Sequence, residues 1–265
     1  MINILTVDVE DWQQSTLDTD LPISERALHN TNRLLDLLAE FRVQGTFFVQ
    51  SLVAEKFPDL VRRIAAEGHE IASHGHVPLF KLTAAGFAAD LHRSLEILED
   101  LTAGRVYGYR APDFSLRQDT LWALEVLREH GLRYSSSIYP FPGRRYGIAG
   151  APPGIHEIAE GLIEVPLSVV RLGGRNWPVA GGGYFRLLPY RLTRWAIRRI
   201  NAGARPAVVY LHPYELDGNE MRQFRGRIPW RLYWSQSINR NQTEAKLRSL
   251  LRDFQFAPIR EAVAL

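Results

Sequence analysis

The period of the apolar positions changes several times along this chain, and each change marks an element. Ile2, Ile4, Leu5 and Val7 form a short apolar run that stops at Asp8, the pattern of a strand buried on both faces. Residues 24–42 switch to helical spacing, with Ser24 placed to cap the first turn and Gly45 soon after the last. GTFFV (45–49) reads as a second buried strand and 52–67 as a second helix closed by Gly68. HEIASH (69–74) reads as a short strand ending in polar residues. Helices are predicted over 84–100 and 117–130, with Gly131 at the C′ position of the latter. Short strands follow near 134–138 and 162–170, then a helix near 189–202, a buried strand AVVYLH (207–212) and a last helix over 243–253.

Strands alternating with helices predict βαβ units and a mainly parallel sheet. The irregular stretch 140–160 and the Gly-rich stretch 173–183 read as long functional loops rather than linkers, so residues 1–265 are read as one domain, with 220–265 a basic C-terminal extension packed on it.

Composition narrows the chemistry. The absence of cysteine excludes a disulfide scaffold, Cys-ligated zinc, iron–sulfur clusters and thiol catalysis. No apolar run reaches transmembrane length. MINILTVDVEDW meets acids by Asp8 and lacks a basic n-region, so it does not read as a secretory signal. The expected location is the cytoplasm, extending to the inner face of the membrane. The net charge of +3 hides an asymmetry: residues 186–260 hold 15 Lys and Arg against 5 Asp and Glu. Such a region suits an anionic polymer or lipid phosphates as well as a plain solvated surface, and no nucleic-acid-binding motif accompanies it.

In parallel α/β architectures, sites gather at the C-terminal ends of strands. Here Asp8, Glu10 and Asp11 follow the first strand, His74 and His76 the third, and His212 a late one. Arg110 lies on a loop after Tyr107-Gly108-Tyr109. Three carboxylates within four residues repel unless a cation or an arginine neutralises them, and one of them can serve as a general base. On an extended chain Asp8 and Glu10 point to the same side, and Asp11 to the other. His74 and His76 have the donor type for a divalent metal such as zinc. His212 has the titration range of a general acid. In Arg110-Ala111-Pro112-Asp113-Phe114 a fixed guanidinium stands beside a rigid proline and an aromatic wall. Trp12, Phe114, Tyr139 and Trp177 are candidates to stack on sugar faces, and equally to fill the core.

Together these segments resemble the polysaccharide deacetylase superfamily (NodB homology domain, carbohydrate esterase family 4), and most closely its subfamily associated with exopolysaccharide and PEP-CTERM/exosortase gene clusters. The resemblance rests on TVDVEDW (6–12), GTFFV (45–49), GHEIASHG (68–75), YRAPDFS (109–115), YSSSIYP (134–140), EVPLS (164–168), PVAGGGYFRLLPY (178–190) and YLHPYELD (210–217), in that order. It implies a distorted (β/α)7-type barrel that removes N-acetyl groups from the amino sugars of a polysaccharide or lipid-linked glycan, with a divalent metal held by an Asp and two His. Carried over by motif, Asp8 matches the general base, Arg110 the arginine that tethers it, His212 the general acid and His74 the first metal histidine. Leu211 matches a residue of the pocket for the acetyl methyl group, and Trp12, Pro112, Phe114 and Tyr139 are the further candidates to bind substrate.

Three departures stand out. The family's second metal histidine falls four residues after the first, where this chain has Pro78. His76 lies two residues on, in a loop about two residues shorter than the family pattern; either it has taken over as ligand, or the metal site is weakened or lost. The carboxylate ligand is Glu10 by the same-face argument and Asp11 by the family's preference for aspartate. Finally, Ser135 stands where the subfamily often has an Asp before Ser-Ser, so Arg110 needs another partner. Two rival readings follow: a metal-independent amidohydrolase of the same fold, and a non-catalytic glycan-binding relative.

Overall fold

Apolar side chains on both faces draw β1 (Ile2–Val9) into the middle of a sheet, where every residue from Asn3 to Val9 is buried. The computed structural model describes residues 1–143, 146–179 and 181–264; Ala180, within the Gly-rich motif, lies outside the described residues. The other strands are β2 (Thr46–Val49), β3 (Glu70–Ser73), β4 (Gly108–Tyr109), β5 (Tyr134–Ser135), β6 (His156–Ala159), β7 (Leu162–Glu164), β8 (Val169–Leu172), β9 (Arg175–Pro178), β10 (Val208–Leu211) and β11 (Gln255–Ala257). The main sheet runs β10-β1-β2-β3-β4-β5-β7-β6, with β11 also pairing β1. All its pairings are parallel except that of β6 with β7. Helices Glu25–Phe41, Pro58–Ala66 and Ala84–Thr102 cover it from outside. This is the curled α/β sheet expected of a distorted barrel.

The period of two along each strand divides the core in two. Leu5, Val7 and Val9 of β1, Phe47 and Val49 of β2, and Val209 and Leu211 of β10 pack with the helices. Ile4, Phe48, Ala72, Tyr134, Val208 and Tyr210 form a second cluster inside the curl. Continuing that alternation beyond the strand ends sets Asp8, Glu10, His74, Arg110, Ser136 and His212 on the inner side. Register brings them level: Val7 pairs Leu211, Asp8 pairs Phe48, Ser73 pairs Tyr109 and Tyr109 pairs Ser135. Each polar residue therefore stands at the same rim.

The predicted elements differ from the observed ones for local reasons. The helix over 52–67 is two, Ser51–Lys56 and Pro58–Ala66, because Pro58 lacks an N–H and starts a new first turn. The stretch 117–130 is a short 3₁₀ turn followed by Ala123–Glu129. The strand expected over 162–170 divides around Pro166 into β7 and β8, and β8 leaves the main sheet to pair antiparallel with β9. Gly173 and Gly174, at φ of 57° and 77°, make the two-residue turn of that hairpin. Gly181 lies against Tyr210, where an added Cβ would fall 2.1 Å from the ring, so glycine lets the chain cross the barrel mouth.

In the C-terminal region, helix Arg240–Asp253 packs beside Glu25–Phe41, while β11 hydrogen-bonds to β1. The buried Arg240 Nη1 donates to Glu220 Oε2 at 2.6 Å.

Candidate active site

Arg110 is the fixed point of the rim. Its side chain is fully buried, and every nitrogen of its guanidinium donates a hydrogen bond. Nε reaches Ser136 O (2.8 Å), Nη2 reaches Ser136 Oγ (2.7 Å), and Nη1 reaches Thr6 Oγ1 (2.9 Å) and Asp8 Oδ1 (2.7 Å). The guanidinium also stands 4.1 Å from the centroid of the Phe48 ring. Ser136 and Thr6 thus fill the place left by Ser135, whose hydroxyl donates to Ser137 Oγ at 2.9 Å. Glu164 holds the serine run by accepting from the N–H groups of Ser137 and Ile138.

Burial alone pushes the Asp8 carboxyl up. The Arg110 charge, with His74, His212 and the Arg110 hydrogen bond, outweighs it and leaves the group below its ordinary value. Asp8 is therefore an anion with Oδ1 pinned and Oδ2 turned toward His212 Nε2, 3.8 Å away.

His212 sits at the end of β10 between two acids. Nε2 lies 3.5 Å from Glu10 Oε1, and Nδ1 lies 3.3 Å from Glu215 Oε2. The ring stacks on Tyr214 with centroids 4.8 Å apart. Burial lowers its pKa, but the Glu215 hydrogen bond and the charges of Glu10, Glu215 and Asp8 prevail, raising it to about 9. Glu215 is in turn held by the buried Arg186, whose Nε lies 3.3 Å from Oε1. The Glu215 carboxyl, pushed up by burial, ends below its usual range because of His212 and Arg186.

His74 donates from Nδ1 to the Arg110 carbonyl (2.9 Å), which turns Nε2 toward Glu10 Oε2 at 3.6 Å. Against the lowering effect of burial, Glu10 and Asp8 raise its pKa. Glu10 thus bridges both imidazoles and also accepts from the Tyr214 hydroxyl at 3.4 Å. Asp8, Glu10, His74, His212, Glu215 and Arg186 line one cavity of about 230 Å³, walled by Phe114, Tyr210 and Tyr214.

Other candidates lie elsewhere. Asp11 caps helix Trp12–Thr16: Oδ1 accepts from the N–H groups of Gln13 and Gln14, and Oδ2 from the N–H and hydroxyl of Ser24. His76 lies in an adjoining cavity with Pro112 and Glu10, where its buried Nδ1 has no hydrogen-bond partner among the described residues. Trp12 is fully buried, 4.6 Å from the Phe224 ring, with Nε1 donating to Gln236. Tyr139 is enclosed in an aromatic cluster with Phe114, Phe141 and Tyr146. Leu211 faces the helices rather than the curl. Trp177 lies exposed on β9, away from both cavities.

The implied metal needs one Asp and two His. His74 has the fixed tautomer of a ligand. The second histidine position is Pro78, His76 is turned into the neighbouring cavity, and both oxygens of Asp11 are occupied. Among the described residues, no three His, Asp or Glu side chains are arranged to hold an ion. The donor set does not fit the group.

The first relatives match only in part. A Rhizobium leguminosarum chitooligosaccharide deacetylase is 56% identical over 46 residues, 17% of this chain and 21% of that protein. A Bacillus cereus peptidoglycan-N-acetylglucosamine deacetylase is 36% identical over 101 residues, 37% of each. The matched segments thus span about a fifth to under two fifths of these curated relatives. A solved structure of a Mycobacterium smegmatis protein described as a polysaccharide deacetylase shares the fold, with a TM-score of 0.62, 22% identity and coverage of 99% of this chain and 90% of that one. A polysaccharide deacetylase family model matches residues 16–135, and a domain of unknown function (DUF3473) matches 136–264. The curled α/β sheet is the fold shared with that solved structure. Over residues 16–135 the chain carries a polysaccharide deacetylase domain.

Proposed function

We propose that this pocket hydrolyses the N-acetyl amide of an amino sugar in a glycan and releases acetate. The observation that carries the reading is the pairing of a tethered anion, Asp8, with an imidazolium, His212, on one cavity wall. A water placed between an acetyl carbonyl and Asp8 Oδ2 loses a proton to that carboxylate as it attacks. His212 then gives its Nε2 proton to the departing nitrogen, because an amide anion is too basic to leave unprotonated. His74, whose Nε2 is directed into the cavity, faces the developing oxyanion. Arg110 keeps Asp8 ionised and oriented without itself reaching the substrate.

Because the donor set does not fit the zinc implied by the resemblance, no step of this scheme is routed through a metal. The substrate class in this reading is an N-acetylated glycan, anionic or lipid-linked, processed in the cytoplasm at the inner face of the membrane. No helix among the described residues is long and apolar enough to cross a bilayer. The domain reading is residues 1–265 as one unit, with 220–265 completing the wall through Leu232 and Gln236. Acetate measured during incubation with N-acetylglucosamine oligomers and peptidoglycan fragments tests the proposal. Glycan binding without acetate would instead favour the non-catalytic reading.

A further inference from the structure

Helix Trp230–Ser237 has no buried residue, yet it forms part of the cavity wall. Leu232 and Gln236 face the cavity, and Gln236 accepts from Trp12 Nε1 at 3.2 Å. Arg186 Nη1 ties the end of the helix by donating to the carbonyls of Ser235 (2.8 Å) and Ile238 (2.7 Å). Trp230 and Trp234, one turn apart, share another face and are 72% and 60% exposed. Arg231 stands 5.6 Å from the Trp230 ring, and Arg222, Arg225 and Arg227 precede the helix in sequence; all four are exposed. None makes an ion pair among the described residues, and residues 221–243 contain no Asp or Glu.

We propose that this segment docks on an anionic phospholipid surface, with Trp230 and Trp234 at headgroup depth and Arg225, Arg227 and Arg231 against lipid phosphates. Indoles with an apolar body and one N–H suit the bilayer interface, and unpaired arginines beside them suit its negative potential. The charges that flank the tryptophans in sequence are all cations, which favours negative lipid phosphates over a neutral sugar face. Because the opposite face of the same short helix lines the cavity, docking holds the active-site wall next to the lipid headgroups. Vesicle binding requires no turnover, so its outcome is independent of the deacetylase reading.

The test is sedimentation of the full chain with vesicles of phosphatidylcholine alone and of an equimolar phosphatidylcholine–phosphatidylglycerol mixture. The same binding is measured for Trp230→Ser/Trp234→Ser and for Arg225→Glu/Arg227→Glu/Arg231→Glu, with unchanged melting as the fold control. The expected result is binding to the mixed vesicles that weakens with salt and falls roughly tenfold or more in each variant. No binding by the parent chain, or a tryptophan pair that proves dispensable, overturns the proposal. So does binding to an anionic polysaccharide such as alginate without binding to vesicles.

Discussion

Glu215 Oε2 lies 3.3 Å from His212 Nδ1, and this contact raises the pKa of the proposed acid. The proton on His212 is retained until the pH passes about 9, so kcat/KM falls as the pH rises through that value. Glu215→Gln removes the stabilising charge, and the alkaline limb moves down by about one pH unit or more. Asp8, held below its ordinary value, adds no acid limb above about pH 4. A pH–rate profile of the two forms checks this; an alkaline limb unmoved by the substitution would separate Glu215 from the acid.

Arg110 neutralises a carboxylate whose Oδ1 is buried against it. Arg110→Gln takes the nearest cation from the buried Asp8 carboxylate and leaves only His74 and His212 to offset its charge, at a cost of about 3 kcal/mol in stability. Arg110→Lys keeps a charge but cannot bond Thr6, Asp8 and both oxygens of Ser136 together. Its expected signature is a kcat lowered far more than the stability. Denaturant titration beside steady-state kinetics distinguishes the two substitutions.

Most of the architecture was legible because the strands carry their own signals. The apolar runs at 2–7, 45–49 and 207–212 and the placement of Asp8, Arg110 and His212 at strand ends follow from a period of two and a parallel sheet. The same alternation sorts Glu10 from Asp11. What escaped were contacts between distant segments. Arg186 reads as one more basic residue in a Gly-rich stretch, and only the crossing of that stretch over β10 brings it to Glu215. Glu215 did carry a signal, standing three residues after His212. Helix Trp230–Ser237 escaped because a helix with no buried face leaves no apolar stripe to read. Trp12 and Tyr139 were ambiguous because an aromatic ring looks the same in a sequence whether it meets a sugar or a core.

The histidine loop yields a prediction about metal. With Pro78 at the second ligand position and His76 in the adjoining cavity, acetate release is expected to survive removal of divalent metal. Activity assayed after exhaustive chelation, with metal content measured on the same sample, tests this. Activity lost on chelation and restored by zinc would contradict the proposed mechanism and point to a rearranged loop.

His69 provides a check that does not depend on catalysis. Its buried Nδ1 accepts from the Gly45 N–H at 3.2 Å, which only a neutral ring can do. Burial outweighs the Glu67 charge and lowers its pKa to about 4. The folded value is depressed, so the contribution is complete above the unfolded value and is lost as the pH falls from about 6.5 toward about 4. Through that window the chain loses about 3 kcal/mol from this site. His69→Asn, measured by denaturation at several pH values, should flatten that part of the stability curve.

Acetate release by Asp8→Asn tests the central claim most directly, because the change removes the base while preserving its shape. The account predicts that the parent chain frees acetate from N-acetylglucosamine oligomers and that the folded variant frees none above background. Release by the variant at the parent rate would contradict it.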